Sequence, residues 1–428
     1  MVVDESLDES FDEDQKEPVP QAQHAPNRLS PLRFVLGFGV VSMTADFVYE
    51  GARSVIGPYL ATLGASAAVV GVVSGTGEAV ALMFRMVTGR ISDRTGRHWA
   101  LSIGGYALTV VSVPLLAATG SLWSAAALIF SERFGKAVRT PSRDTMLAEA
   151  GASIGRGWAF AVHEGLDQTG ALAGPLLLAL MLALTGSYRD GFAVLAAPGI
   201  VTLVLLVRLR SRVPVPAAYA PDGAGRSSKA GTQRVQLAGF SRQFWNYAAF
   251  SALSVAGYAT FAVLSYHLQV HHVLPKAEIP LVYAAAMAAA AVAGLASGRA
   301  YDRIGLRGLA VLPLLSAAVP FLSFSFSPTL VFIGAAVWGM AMGIHGSTMR
   351  AAVADLVPAG RRGAGYGTFT AVYGAAWLAG SATIGALYGY SIGAATAFTV
   401  VVQALALGAF IPLILARTAP AGTAQSPS

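Results

Sequence analysis

The 428-residue sequence contains no cysteine. Disulfides, thiolate-bound zinc and thiol nucleophiles are excluded with it, while the redox state of the compartment stays open. Charge is scarce too. Asp, Glu, Lys and Arg make up 12% of the chain, against about 25% in an average soluble domain. With 55% hydrophobic residues and a mean hydropathy of +0.59, such a chain cannot cover a water-facing surface. A soluble enzyme, a nucleic-acid binder and a disordered protein are excluded on that ground, and lipid remains as the solvent. The short alternating strands of a membrane barrel are also lacking. No cleavable signal peptide is visible, because the start is acidic rather than basic and the first apolar run is long.

What the chain does have is a series of long apolar runs rich in Ala, Leu, Val and Gly, suited to helices packed through small residues. At about 20 residues per crossing, they predict an all-α membrane protein with twelve transmembrane helices. These fall at 34–60, 67–90, 98–118, 122–146, 156–184, 190–209, 244–268, 279–301, 307–325, 329–350, 362–388 and 393–416. Residues 1–32 hold eight acids against Lys16 and Arg28, which predicts a disordered acidic tail. Six helices then occupy 33–212, a linker rich in Pro, Gly and Ser occupies 213–242, six more helices occupy 243–417, and 418–428 forms a short tail.

Basic residues are sorted by side. Loops that follow even-numbered helices hold Arg90, Arg94 and Arg97, then Lys136, Arg139, Arg143 and Arg156, then the linker cations, and later Arg299, Arg303, Arg307, Arg350, Arg361 and Arg362. The opposite loops hold Arg189 and Lys276. The positive-inside bias therefore puts both termini and the linker in the cytoplasm of a cell, or inner, membrane.

The chain repeats itself. Gly89-Arg-Ile-Ser-Asp93-Arg94-Thr-Gly96-Arg97 returns as Gly298-Arg-Ala-Tyr-Asp302-Arg303-Ile-Gly305-Leu-Arg307, offset by 209 residues, and Arg156-Gly157 returns as Arg362-Gly363, offset by 206. Similar offsets between helices of equal rank argue for two duplicated six-helix halves. The first loop resembles the signature of the major facilitator superfamily. Gly89, Asp93, Arg94, Gly96 and Arg97 all match, and Gly298, Asp302, Arg303 and Gly305 keep the pattern in the second half. The resemblance covers roughly residues 33–417. It implies two pseudo-symmetric six-helix bundles and a loop that latches the outward-open state on the cytoplasmic side. Physically, Gly89 permits close helix approach, Asp93 can pair with Arg94 or Arg97 or face a helix N-terminus, and Gly96 supplies a tight turn.

Helix 4 carries Arg133-Phe-Gly-Lys136-Ala-Val-Arg139-Thr-Pro141-Ser-Arg143-Asp144, which looks like a pattern in a bacterial and archaeal efflux-type branch, as do Asp46, Glu50 and Pro58 of helix 1. Lys136 stands for the superfamily's usual Gln and Ala137 for its usual Gly. Gly170-x-x-x-Gly174-Pro175 resembles the helix 5 motif of facilitator antiporters, although Leu178 and Ala179 stand near its final paired glycines. The glycines are expected to press helix 5 onto its partner in the other half, and Pro175 to bend it.

Ionisable residues inside the spans are costly and mark a pathway or a partner. They crowd into the first half: Asp46, Glu50, Arg53, Glu78, Arg85, Glu132, Arg133, His163, Glu164 and Asp167. Asp46, Glu50 and Arg53 share one helical face. A Glu50–Arg53 bridge would leave Asp46 to take and release a proton; a fully paired network is the alternative. Arg85 reads as counter-ion to an acid on another helix. Arg133 sits where relatives carry an arginine linked to proton coupling, or pairs with Glu132 or Asp93. His163 and Asp167 are spaced to hydrogen-bond, Asp167 reads as facing the cavity, and Glu164 reads as a gate or a bridge between halves. His267, His271 and His272 read as solvated at a helix end rather than as metal ligands. Tyr49, Trp338 and Trp377 are candidate cavity aromatics.

The sequence thus points to a secondary active transporter, not an enzyme. The expected activity is proton-driven export of a small organic compound by a monomer in the bilayer, with no cofactor, no metal and no nucleic acid. Proton-coupled import, lipid flipping and a non-transporting sensor are the alternatives.

Overall fold

The computed structural model describes residues 29–219, 240–358 and 361–415. The acidic tail up to residue 28, linker residues 220–239 and the tail beyond 415 lie outside the described residues. The chain is helical in the order α1 (Pro31–Arg53), α2 (Ile56–Thr62), α3 (Ala67–Thr95), α4 (His98–Leu115), α5 (Leu122–Gly151), α6 (Arg156–Thr185), α7 (Tyr188–Val194) and α8 (Ala196–Arg212). It continues with α9 (Arg242–Ala256), α10 (Phe261–Val270), α11 (Ile279–Ile304), α12 (Val311–Ser323), α13 (Pro328–Leu356), α14 (Arg362–Tyr390) and α15 (Ile392–Leu415). Among the described residues, nine stretches are long and apolar enough to cross a membrane, and one of them, the 45-residue Ile279–Ser323, holds both α11 and α12.

These helices form twelve crossings in two six-helix bundles, α1–α8 and α9–α15. Three expected helices prove to be broken. The first stops at Arg53 and restarts at Ile56, where the Ser54 hydroxyl donates to the Gly51 carbonyl at 2.6 Å. The seventh breaks between Ala256 and Phe261, and the sixth is divided at Leu195. The fourth runs beyond its expected end to Gly151. Gly96 and Gly186 close α3 and α6 in the left-handed conformation, with φ of 62° and 66°, a geometry that a side chain disfavours.

Packing within the first half corrects one expectation. Gly170 and Gly174 of α6 do not press on the other half. A Cβ at Gly170 would strike the Met43 carbonyl, and one at Gly174 would strike the Phe47 carbonyl and the Gly51 amide of α1. They hold span 5 against span 1 of the same bundle. Gly170→Val is expected to force α1 and α6 apart, costing about 1–3 kcal/mol. A lower melting temperature in detergent checks this.

The halves meet through α3 with α14, α6 with α11, and α2 with α10. Several contacts close the end of the molecule away from the described chain ends. The Ser381 hydroxyl donates to the Gly71 carbonyl at 2.9 Å, and the Tyr188 hydroxyl donates to Gln269 Oε1 at 2.7 Å. Gly57 of α2 lies so close to the Ala262 carbonyl of α10 that a Cβ has no room. Leu184, Val292, Leu295 and Phe321 are exposed on the outer faces, where apolar side chains suit lipid.

Candidate functional site

α5 is the charged span. Arg133, Lys136, Arg139 and Arg143 recur at three- and four-residue spacing, and their partners come from neighbouring helices of the same half and from α5 itself. Arg139 Nη2 lies 3.3 Å from Asp46 Oδ1 of α1, and its guanidinium stacks over the Tyr106 ring of α4 at 4.4 Å. Arg133 lies 3.4 Å from Glu132 and 3.6 Å from Glu78, and donates a short hydrogen bond to the Tyr49 hydroxyl. Arg53 reaches Glu78 at 2.7 Å, Glu50 at 3.7 Å and the Tyr49 hydroxyl at 3.2 Å. Lys136 Nζ sits 3.8 Å above the centre of the Tyr49 ring, a cation–π contact. Tyr49, Glu132, Arg133 and Arg139 are all buried, so mutual pairing is what makes their charge tolerable.

This geometry revises the sequence reading. Asp46 is not left alone, because Arg139 holds it. The shortest ion pair of Arg53 is to Glu78 rather than Glu50. Glu50 keeps the expected bridge to Arg53 at 3.7 Å and also accepts a hydrogen bond from Tyr283 of α11, across the two halves. Arg133 pairs with Glu132 as expected and with Glu78, while Asp93 takes part in none of the ion pairs among the described residues. Arg85 is half-buried two turns from Glu78 on α3 and contributes to the field around it.

On α6 the expected His163–Asp167 bond is replaced. His163 Nε2 bonds the Ser42 hydroxyl at 2.8 Å, and Ser42 bonds the Tyr106 hydroxyl at 2.7 Å. Imidazole, serine and phenol therefore form one buried chain across α6, α1 and α4. Glu164 is exposed and accepts from Gln168 of its own helix at 2.9 Å; it bridges no halves among the described residues. Asp167 makes no ion pair among the described residues. Its Oδ1 is buried with no hydrogen-bond partner there, as are Glu132 Oε1 and Glu149 Oε2, although Asp46, Arg143, Glu164 and Arg139 lie within electrostatic reach of Asp167. Arg143 itself is engaged by the neighbouring Asp144 at 2.9 Å.

The second half opposes this wall with aromatic rings. Tyr258 stacks on Trp338 at 5.3 Å, and Trp377 meets Tyr258 at 6.3 Å and Tyr373 at 5.7 Å. Trp338 is buried and donates to the Ala259 carbonyl at 2.7 Å. Trp377 is half-buried, and its Nε1 has no partner among the described residues. Glu78 acts electrostatically on both Tyr258 and Tyr373, so the charged and aromatic walls face each other. His345 links Tyr373 at 3.2 Å and Ser254 at 3.5 Å.

The repeated loops lie at the end nearer the described chain ends. Asp93, Arg94, Gly96 and Arg97 are exposed, as are Asp302 and Arg303. Gly96 makes the expected turn. Gly305 also takes a positive φ, 60°, but with ψ of −143° it ends α11 in a different conformation. Gly89 faces Pro141 with ordinary van der Waals room. Beneath the first loop, the buried Ser92 hydroxyl bonds His98 Nδ1 and the Ser142 hydroxyl, each at 2.8 Å. His267 is not solvated. It is buried, with Nδ1 2.7 Å from the Tyr388 hydroxyl and its ring 4.8 Å from that of His271. No group of three metal-ligating side chains occurs among the described residues.

Sequence reasoning missed Ser42, Tyr106 and Tyr283. Hydroxyl residues in an apolar span carry no charge to single them out, and their partners lie 64 to 233 residues away.

Known proteins share this architecture. Residues 38–381 and 248–428 match the model of the Major Facilitator Superfamily. An uncharacterized protein of Mycobacterium tuberculosis is 50% identical over 395 residues, 92% of this chain and 95% of that protein. An uncharacterized MFS-type transporter of Methanocaldococcus jannaschii is 24% identical over 372 residues, 84% of this chain and 89% of that protein. Among solved structures, a bacterial homologue of the human lysosomal transporter Spinster, in an inward-facing and occupied conformation, aligns with a TM-score of 0.69 at 14% identity, covering 90% of this chain and 97% of that one.

Proposed function

This chain belongs to the Major Facilitator Superfamily, and we propose that it works as a proton-coupled antiporter exporting a small organic compound. Secondary transport across a membrane follows from the family and the fold. The direction and the coupling ion are our reading, and Asp167 is the observation that carries it. Asp46, Glu78 and Glu132 are each held by an arginine, whereas Asp167, with one buried oxygen lacking a donor, makes no ion pair among the described residues. A carboxyl with no such partner gains most from binding a proton.

The positive-inside reading places both termini in the cytoplasm of the inner membrane. The contacts through Glu50–Tyr283, Tyr188–Gln269 and Ser381–Gly71 then seal the outside, and on this reading the compound reaches the space between the charged and aromatic walls from the cytoplasm. Rocking of the halves breaks this seal. A proton from outside loads Asp167 as the compound leaves. Inside, Asp167 gives up its proton and the next molecule binds, its apolar body against Trp377 and Tyr373. The protein acts as a monomer and needs no cofactor. The resemblance to an efflux-type branch supports the outward direction.

Inverted membrane vesicles test this. Acidifying their lumen should drive uptake of a compound to which a deletion strain is hypersensitive. Uptake that instead requires an acidic exterior means import and overturns the reading.

Tyr283→Phe removes the hydrogen bond to Glu50 and leaves the ring in place. It should loosen the outer seal, seen as faster alkylation of a cysteine placed at Ser265, which is buried on α10 beside Gly57, in this cysteine-free background. An unchanged rate means that the bond does not hold the seal.

A further inference from the structure

The second copy of the signature loop has no part in the proton pathway, yet a groove runs up to it. Ala289, Ala293, Ala296 and Ala300 of α11 are too short to fill the space towards Leu315 of α12. With Ile344 of α13 beneath, they leave a cavity of about 740 Å³. α11 is fixed at this depth because Gly339 and Gly343 of α13 bring the helix backbones together at Ala286 and Ala290. Val292 and Leu295 stand 70% and 68% exposed along α11. From Ala288 to Tyr301 the groove follows the helix for roughly 20 Å, comparable with the ~15 Å of hydrocarbon in one leaflet. Gly305 closes this groove and also lines a second recess of about 250 Å³, shared with Leu306, Arg307 and Leu413. Arg307 lines that recess, and exposed Arg299 and Arg303 stand on the last two turns of α11, against the exposed acids Asp302 of the same segment and Asp355 of α13, which accepts from Tyr301 at 2.8 Å.

We propose that this groove and its recess form a binding site for one anionic glycerophospholipid of the surrounding leaflet. One acyl chain lies along the alanine face of α11, and the phosphate sits at Arg307 with Arg303 beside it. The apolar lining selects hydrocarbon, the position within the spans makes a bilayer lipid the available source, and the arginines select a negative headgroup. The bound lipid bridges α11 to the start of α12 at the turn made by Gly305. It is thus placed to steady the second-half loop independently of Asp167.

Native mass spectrometry of the full chain tests this. Phosphatidylglycerol and phosphatidylcholine with identical acyl chains are titrated against the purified protein. One phosphatidylglycerol should be retained, preferred about fivefold for each arginine engaged. Arg307→Gln should reduce that preference by about the same factor. Ala293→Trp fills the groove and should abolish retention of either lipid; Ala296→Ile serves the same purpose if the larger residue prevents folding. Equal binding of the two lipids, an unchanged preference in Arg307→Gln, or wild-type retention in the groove-filling variant overturns the proposal. So does a dimer that the groove-filling variant dissociates, because the groove is then an interface between copies.

Discussion

Asp167→Asn is expected to abolish gradient-driven transport while leaving exchange of the compound across the membrane intact. The amide keeps the shape of the carboxyl but cannot take up or release a proton. The carrier then behaves as though permanently loaded. Accumulation driven by a pH step should fall to the background of vesicles without the protein. Counterflow, in which labelled compound exchanges for unlabelled compound with no gradient, should persist. Asp46→Asn should act differently. It leaves Arg139 buried without the carboxylate 3.3 Å away, and should lower both stability and exchange. Loss of exchange in Asp167→Asn would make Asp167 a binding or folding residue instead of a proton carrier.

Arg133→Leu is expected to be the most destabilising single change in the charged wall. Arg133 serves Glu78, Glu132 and the Tyr49 hydroxyl, and its removal leaves Glu132 without the cation 3.4 Å away. Breaking a buried pair by deleting one partner costs about 3–5 kcal/mol. The double variant Glu132→Leu with Arg133→Leu removes a base and an acid together and should recover part of that loss. Melting temperatures of the single and double variants in detergent check both statements. Equal destabilisation in the two would mean that the charge left on Glu132 is not what matters.

The architecture was legible in the sequence because membrane helices are written in composition. Long apolar runs, the sorting of arginines to alternate loops and the 209-residue offset between the Gly89 and Gly298 loops are local or periodic signals. So was the confinement of buried acids to the first half. Pairing was not legible. Nothing in the spacing of Asp46, Glu50 and Arg53 states that Arg139, Tyr283 and Glu78 are their partners, because those contacts depend on how α1 rotates against α3, α5 and α11. The same rotation turned Gly170 and Gly174 towards α1 instead of the second half. His163 was paired by sequence with the nearest acid on its own face, but a serine on the adjacent helix was closer. The breaks at Ser54 and Gly257 are not legible because the apolar run continues through them.

Proton coupling through Asp167 is most directly tested by spin-label distances between the halves, which require no knowledge of the transported compound. The chain has no native cysteine. Exposed Thr62 and Thr329 at the sealed end, and Thr95 and Gly363 at the opposite end, can therefore be labelled in pairs. Acidification should redistribute the wild type between sealed and open arrangements at the two ends. Asp167→Asn should show the wild type's low-pH distribution at every pH. A variant that still follows pH as the wild type does would contradict the account.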